Sequence, residues 1–161
     1  MARLFDTPVR DSLQVEHICD FEIEFEPLQT IFSPAVGTRL NVVVARGVAR
    51  GPRLNGEFLS GGGDWITLGT DGIARLDVRA TLRADDDHLV YVTNTGRHVG
   101  DDTTSARFVA GELIAWDEAY THSSPLFETD SPTYGWLNGA VTTALNEVAN
   151  DRVHYRIYHV L

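Results

Sequence analysis

Charged side chains within predicted strands are the residues of this sequence whose types and spacing suit chemistry. Asp64, Asp77 and Arg79 stand in glycine-bounded segments between Gly51 and Arg79. From residue 75 to residue 82 polar and apolar side chains alternate, which places Asp77 and Arg79 on one face of a strand. A carboxylate can accept a proton, and a guanidinium can hold a substrate carboxylate. These three residues are predicted to face a ligand as catalytic groups, with a structural ion pair between Asp77 and Arg79 as the alternative.

Aromatic and amide side chains extend the predicted site. Tyr91, in the strand segment HLVYVTN, is predicted to point inward as a fourth catalytic residue. Tyr134, Trp136 and Asn138 share one face of a predicted strand, and two aromatic rings with an amide suit a flat, partly polar ligand. Packing in the core is the alternative interpretation of these residues. The predicted substrate-binding residues are Arg39, Trp65, Phe127, Tyr134, Trp136 and Asn138.

Composition argues against several functional classes. The formal net charge of −10 disfavours nucleic acid and anionic membranes as partners. All 13 basic residues are arginine, so mechanisms that need a lysine amine, such as a Schiff base or a P-loop, have no residue to supply it. The histidines lack the HxH or HExxH spacing of metal ligands, and no nucleotide motif is present. Neither a metal nor a cofactor is therefore predicted.

The apolar runs and the cysteine content bear on location. The apolar runs are far shorter than the ~20 residues that a membrane-spanning helix needs. The first residues lack the apolar stretch of a secretion signal, and the single cysteine, Cys19, cannot form an intrachain disulfide. We therefore expect a cytoplasmic protein, and leave open whether it forms a homo-oligomer.

Short strands at regular intervals dominate the predicted structure. Apolar and acidic residues alternate from residue 13 to residue 25, which predicts a long antiparallel strand. Residues 97–119 begin with a polar stretch and continue with FVAGELIAWDEAY, which predicts a mouth loop or lid with a short helix. Eight to ten strands in one domain over residues 1–161 indicate an antiparallel barrel or sandwich. The other strands are predicted at 39–46, 57–60, 64–68, 72–83, 88–94, 120–129, 134–138, 139–145 and 152–160.

Four motifs carry a family resemblance. They are GPRLNGEFLSGGGDW, TDGIARLDVRATL, HLVYVTNTG and PLFETDSPTYGWLN, in that order. Together they resemble the bacterial and fungal family called domain of unknown function 3237, or uncharacterised protein family 0311, and the likeness spans roughly residues 13–160. The resemblance implies an all-β fold: a single antiparallel, lipocalin-like β-barrel with a central cavity.

A barrel interior with carboxylate, guanidinium, phenol and indole groups suits acid–base chemistry on a small organic molecule. The first hypothesis is a cofactor-independent lyase of aromatic compound catabolism, which decarboxylates or ring-opens a small aromatic or conjugated carboxylic acid. Arg79 or Arg39 would hold the carboxylate, and Asp64 or Asp77 would move a proton with Tyr91. The alternatives are an isomerase or cyclase, a non-catalytic small-ligand barrel, and an oligomeric structural module. An outer-wall position of Asp77 and Arg79 would remove the centre of the enzymatic hypothesis.

Overall fold

A computed structural model describes residues 8–161, so the first seven residues of the predicted domain lie outside the described part. The described chain forms ten strands, one α-helix and one 3₁₀-helix. The strands are β1 (Val15–Phe25), β2 (Gln29–Ser33), β3 (Gly37–Arg50), β4 (Gly56–Phe58), β5 (Gly63–Leu68), β6 (Ala74–Ala84), β7 (Leu89–Val99), β8 (Tyr120–Thr129), β9 (Thr142–Val148) and β10 (Arg152–Val160). The α-helix α1 covers Asp102–Val109, and the 3₁₀-helix covers Gly135–Gly139.

The strands close into an antiparallel barrel. The neighbours run β1, β10, β9, β8, β7 and β6, followed by one position that β4 and β5 share, and then β3, which pairs with β1 again. β2 lies outside this ring and pairs with β3. A closed ring leaves no unpaired edge within it, which protects long strands from edge-to-edge association. The predicted all-β barrel is confirmed.

Alternation decides which side chains fill the barrel. On β6, Ala80 and Leu82 are buried, and their partners Val92 and Val90 on β7 are buried as well. Burial of apolar surface contributes about 25 cal/mol per Å², whereas an uncompensated buried charge is very costly. The apolar face of each strand therefore turns inward and the charged face turns to solvent.

The two ends of the barrel are built differently. At one end, here called the plugged end, the 3₁₀-helix places Leu137 at 1% exposure above Leu54 and Leu82, which are fully buried. At the other end, here called the mouth, the β5–β6 turn and residues 100–119 surround inward-facing side chains that are only half-buried, among them Ile66 and Leu76. The interior is therefore accessible from the mouth side.

Local hydrogen bonds explain where the predicted elements differ from the observed ones. The helix lies earlier than predicted, because Asp101 and Thr104 form a capping box that starts it at residue 102, and Gly111, with φ of +81°, follows its end. The predicted strand at 134–138 is the 3₁₀-helix, since the Ser131 hydroxyl accepts the backbone N–H of Tyr134 and turns the chain. β2 has no counterpart among the predicted strands.

Within residues 8–161, the chain has no helix of the length and hydropathy needed to cross a lipid bilayer.

Candidate functional site

A group of polar side chains lies inside the barrel, and we call it the polar cluster. Its members come from five strands, β5, β7, β8, β9 and β10, and each is at most 7% exposed. Polar groups buried in this way are costly unless they are hydrogen-bonded, so a cluster of them requires an explanation. The polar cluster consists of Asp64, Asn94, Ser123, Asn146 and Tyr155.

Asp64 enters the interior because a run of glycines precedes it. Gly61 has φ of +93°, and a side chain at Gly63 would lie 2.4 Å from the carbonyl oxygen of Val42, so the chain needs glycine at both positions. Asp64 Oδ1 accepts the backbone N–H of Asp77 at 2.8 Å. Burial raises the pKa of Asp64 to about 7, helped by the Asp77 charge and opposed by that hydrogen bond. At neutral pH the carboxyl can therefore either accept or donate a proton.

Tyr155 lies beside Asp64 in the interior. Its ring makes an edge contact with Phe21, and only 7% of the residue is exposed. Burial raises the pKa of the Tyr155 phenol well above its ordinary range, the Asp64 charge raises it further, and the Asn94 side chain partly opposes both effects. The phenol is therefore protonated at neutral pH and serves as a hydrogen-bond donor.

Asn94, Ser123 and Asn146 form a hydrogen-bonded row across β7, β8 and β9. Asn94 Nδ2 donates to Ser123 Oγ at 3.1 Å, and Ser123 Oγ donates to Asn146 Oδ1 at 3.2 Å. The amide oxygen of Asn94 is buried and has no hydrogen-bond partner among the described residues. The row therefore presents one free acceptor in the barrel interior.

The approach from the mouth carries apolar side chains and a hydrogen-bonded histidine–threonine pair. Leu76 and Val78 of β6 face Gly96 and Asn94 of β7, and both are half-buried although they point inward. His98 Nδ1 lies 2.7 Å from Thr121 Oγ1, and burial lowers the pKa of this imidazole. A ligand reaching the polar cluster would therefore pass hydrophobic side chains and a largely neutral imidazole.

Asp77 and Arg79 are the clearest corrections to the sequence-based prediction. Their predicted inward position is wrong, because they occupy the outer face of β6 and form an ion pair of 3.0 Å, Arg79 Nη1 to Asp77 Oδ1. Both side chains are about half exposed, at 51% and 50%. The alternation was correctly recognised, but burial of Ala80 and Leu82 turns the charged face outward. Asp77 acts on the site through its backbone N–H, which Asp64 accepts, and through its charge, which helps to raise the pKa of Asp64.

Three more predicted residues face away from the interior. Tyr91 and Trp65 are each 39% exposed, and Arg39 is exposed on β3. They are neighbours in sequence of the inward-facing Val90, Val92, Asp64 and Leu40, and so lie on the opposite face. Their predicted inward positions are wrong for this reason. Asp64, by contrast, points into the barrel as predicted.

The remaining candidates lie in the core or at the plugged end. Phe127 is buried in the core, 3% exposed, with its ring against Phe21. The Tyr134 hydroxyl donates to Asp85 at 2.5 Å, and the Arg53 guanidinium stacks on Trp136 at 3.8 Å. Asn138 is exposed, and its amide bonds the backbone N–H and carbonyl of Thr129. The last three share no strand face, because residues 135–139 are a 3₁₀-helix.

Sequence reasoning missed Asn94, Ser123, Asn146, Tyr155 and His98. One signal was present, since Asn94 and His98 continue the alternation of Val90 and Val92 and are therefore polar residues on an apolar face. Tyr155 likewise stands between Val153 and Ile157. A polar residue in register with a buried apolar face is the pattern that identifies such a site.

Metal ligands and inward-facing arginines are two further features that bear on the chemistry of the interior. In residues 8–161 no three His, Cys, Asp or Glu side chains are arranged as ligands for a metal ion. On the described strands the arginines stand next to inward-facing residues, as Arg79 does beside Ala80 and Arg156 beside Ile157, and therefore occupy the outer face. No guanidinium on the inner faces of the described strands is therefore available to hold a substrate carboxylate.

The fold and the interior define a closed antiparallel β-barrel with a polar cluster beneath an apolar mouth. Comparison with known families is consistent with this class, because the family model described as protein of unknown function (DUF3237) matches residues 13–160. The chain belongs to this family. A UPF0311 protein of Clostridium acetobutylicum is 28% identical over 125 residues, covering 78% of this chain and 79% of that protein.

Solved structures show the same architecture. A conserved protein of unknown function from Rhodopseudomonas palustris superposes with a TM-score of 0.88 at 23% identity, covering 96% of this chain and 100% of that one. A β-barrel-like protein from Acinetobacter baumannii gives a TM-score of 0.78 at 26% identity over 96% of this chain and 100% of its own. An enzyme from Penicillium herquei gives 0.67 at 18% identity, covering 94% and 99% of the two chains.

Proposed function

We propose that this protein is an acid–base enzyme that relocates a proton within an uncharged small molecule, as an isomerase or cyclase does. The observation that carries the proposal is Asp64, a carboxyl group inside the barrel, 7% exposed, whose pKa burial raises to about 7. A general base or acid works best when its pKa lies near the working pH. Asp64 meets this condition at neutral pH.

The neighbours of Asp64 supply the rest of a proton-transfer site. The protonated Tyr155 phenol can donate a hydrogen bond to an oxygen on which negative charge develops, and the free Asn94 oxygen can accept one from the substrate. Asp64 would take a proton from one substrate atom and return it to another, so the composition of the substrate is unchanged. Proton-carrying side chains suffice for such a reaction.

An uncharged substrate fits the interior better than the carboxylic acid that the sequence suggested. An ionised substrate carboxylate would meet the Asp64 charge and find no inward-facing arginine in the described strands. This removes the support for a decarboxylating lyase and favours the isomerase or cyclase alternative. Catalysis on this fold has a precedent in the Penicillium herquei enzyme, although a shared fold alone does not fix a function.

The proposal is tested with 5-nitrobenzisoxazole, a neutral aromatic compound that reports an accessible base. When a base removes its C3 proton, the electron pair forms a nitrile, the N–O bond breaks, and a coloured nitrophenolate is released. We expect the wild-type rate to rise with pH to a plateau above about 7, because the ionised Asp64 is the base. Asp64→Asn should lower the rate by about 10²-fold or more.

The matched control is Asp77→Asn, which removes a neighbouring carboxylate on the outer face but keeps the backbone N–H that Asp64 accepts. This variant should convert 5-nitrobenzisoxazole at close to the wild-type rate on the plateau, with the pH profile displaced to slightly lower pH because the Asp77 charge no longer raises the pKa of Asp64. Equal rates in the wild-type protein and in Asp64→Asn would contradict the proposal and leave a non-catalytic binding barrel.

A further inference from the structure

The Asn94 amide oxygen is an unpaired acceptor in the barrel interior. Asn94 is 4% exposed, and its Oδ1 atom has no hydrogen-bond partner in the described part of the chain. Leaving a buried polar atom unpaired costs about 1–3 kcal/mol, so unpaired atoms of this kind are rare in folded proteins and each one requires an explanation. The described residues hold one other, His159 Nδ1, in the ring that lies near Trp136 at the plugged end. A histidine can move its proton between its ring nitrogens, whereas an amide oxygen can only accept.

The Asn94 amide nitrogen is held by its neighbour on β8. Asn94 Nδ2 donates to Ser123 Oγ at 3.1 Å. Asn146 contacts the same hydroxyl oxygen, with its Nδ2 at 3.1 Å and its Oδ1 at 3.2 Å. Asn94 therefore turns its nitrogen toward Ser123 and leaves its oxygen unpaired.

The surroundings indicate what would pair with that oxygen. Tyr155 and Asp64 lie close by, and half-buried apolar side chains, such as Leu76 and Val78, lead in from the mouth. A ligand here must donate a hydrogen bond to Asn94 and place an apolar body against the walls. It must also carry no negative charge near Asp64. A hydroxyl or N–H group on an uncharged, largely apolar molecule meets all three conditions.

We propose that Asn94, held by Ser123, is an acceptor subsite that selects uncharged ligands carrying a hydroxyl or N–H group. The inference rests on the proposed function in that it places this ligand beside Asp64. It adds the substrate class and assigns Ser123 as a positioning residue, which acts through Asn94 and has no contact with the ligand.

Three compounds with one ring system test the selection. 2-Naphthol is uncharged and carries a hydroxyl donor, 2-methoxynaphthalene replaces the donor by a methyl ether, and 2-naphthoate is an anion. Titration of the wild-type protein, followed by fluorescence or ligand-detected NMR, should show 2-naphthol binding about tenfold more tightly than 2-methoxynaphthalene, the ratio expected for one hydrogen bond to a buried acceptor. 2-Naphthoate should bind more weakly than 2-naphthol.

Two variants locate the source of the preference. Asn94→Leu has a similar size and no acceptor, so its affinities for 2-naphthol and 2-methoxynaphthalene should become equal within about twofold. Ser123→Ala keeps Asn94 but releases its amide, and the preference should fall as well. Ser124→Ala is the matched control, because Ser124 is the next residue of β8 and is exposed on the outer face. If Asn94→Leu does not fold, comparing Ser123→Ala with Ser124→Ala still shows whether the preference for 2-naphthol depends on the support of Asn94.

The outcomes separate this inference from the proposed function. Equal or undetectable binding of 2-naphthol and its methyl ether by the wild-type protein overturns the inference, as does a preference that survives in Ser123→Ala, or tighter binding of 2-naphthoate. These measurements involve no turnover. A protein that prefers 2-naphthol but converts 5-nitrobenzisoxazole no faster than Asp64→Asn would retain the subsite and lose the proposed catalysis.

Discussion

The mouth and the plugged end are made by the same alternating strands, yet their interiors have opposite chemistry. At the plugged end the inward-facing residues are apolar and fully buried, as Leu82 and Val90 show. Toward the mouth the same two strands carry Val78 and Asn94 at inward-facing positions, and Val78 is half-buried. One end is therefore a packed core, and the other has half-buried apolar walls with polar groups at their base.

This difference shows where the barrel gains stability and where it gives some up. Leu54, Leu137 and Ile157 at the plugged end are at most 1% exposed, so their apolar surface is removed from water. At the base of the mouth, Asp64 is buried with no opposite charge acting on it and Asn94 has an unpaired oxygen. Functional sites often retain such costs, because groups that are fully satisfied within the protein have nothing left to offer a ligand.

The largest effect on stability is expected at the plugged end. Leu137→Ala should lower the free energy of unfolding by about 2–5 kcal/mol, because it removes a fully buried side chain and leaves a cavity. Urea unfolding measures this change, and Leu126→Ala, which truncates a leucine that is 52% exposed on the outer wall, is the control. 2-Naphthol binding by folded Leu137→Ala should match the wild-type value. A loss no larger than that of Leu126→Ala would show that the 3₁₀-helix is not part of the core.

The next largest effect is expected in the mouth, where the free energy of unfolding should depend on pH through Asp64. The pKa of Asp64 rises from the ordinary 3.8 to about 7 on folding, so the unfolded chain releases this proton at lower pH than the folded protein does. Below about pH 4 the carboxyl is protonated in both states, and its burial costs no stability through ionisation. As the pH rises from about 4 to about 7, the free energy of unfolding falls, because the unfolded chain can ionise Asp64 and the folded protein resists it. At higher pH the cost approaches roughly 4 kcal/mol, since each pKa unit corresponds to about 1.4 kcal/mol.

Asp64→Asn removes that titration. Relative to wild type, its free energy of unfolding should improve between pH 5 and pH 8, and urea unfolding at intervals of one pH unit gives the curve. Asp77→Asn, which alters a half-exposed carboxylate, should keep the pH dependence of the wild-type curve, displaced to slightly lower pH because the Asp77 charge no longer raises the pKa of Asp64. The wild-type protein and Asp64→Asn could instead differ in free energy of unfolding by an amount that does not change with pH. That result would place the pKa of Asp64 near its ordinary value and weaken the contrast between the two ends.

The smallest effect is expected on the outer wall, where the sequence had suggested the largest. Arg79→Ala breaks an ion pair whose side chains are about half exposed, and such pairs contribute about 0–1 kcal/mol. Neither 5-nitrobenzisoxazole conversion nor 2-naphthol binding should change. Arg46→Ala, which breaks the exposed pair with Glu24, is the comparison for stability. A tenfold loss of conversion in Arg79→Ala alone would return the outer face of β6 to the mechanism.

Much of the fold could be predicted from local patterns. The predicted strands at 120–129 and 152–160 have the observed bounds, and the family resemblance predicted the barrel that the strand order confirms. The errors fell where a side chain redirects the backbone, as Ser131 does before the 3₁₀-helix and Asp101 does at the start of α1. Side-chain hydrogen bonds of this kind compete with the propensities on which sequence prediction depends.

The candidate site was predicted only in part. The triple glycine pointed correctly to Asp64 as an interior carboxylate, because the residue type and the glycines before it are local features. Asn94 and Tyr155 were overlooked because they matter only through being near Asp64 in space. They come from strands that are remote from it in sequence. Arg79 and Tyr91 were preferred because they are conspicuous in the sequence, although each stands next to the residues that face inward.

The sequence by itself determined the alternation, most of the strands and the absence of lysine, because these depend on neighbouring residues and on composition. Only the tertiary structure decided which face of each strand lies inside, since that choice comes from the sum of apolar burial over the whole barrel. It also brought Asp64, Asn94 and Tyr155 together from three strands and removed them from water. The raised pKa of Asp64 follows from that burial, and no pattern within a single strand contains it.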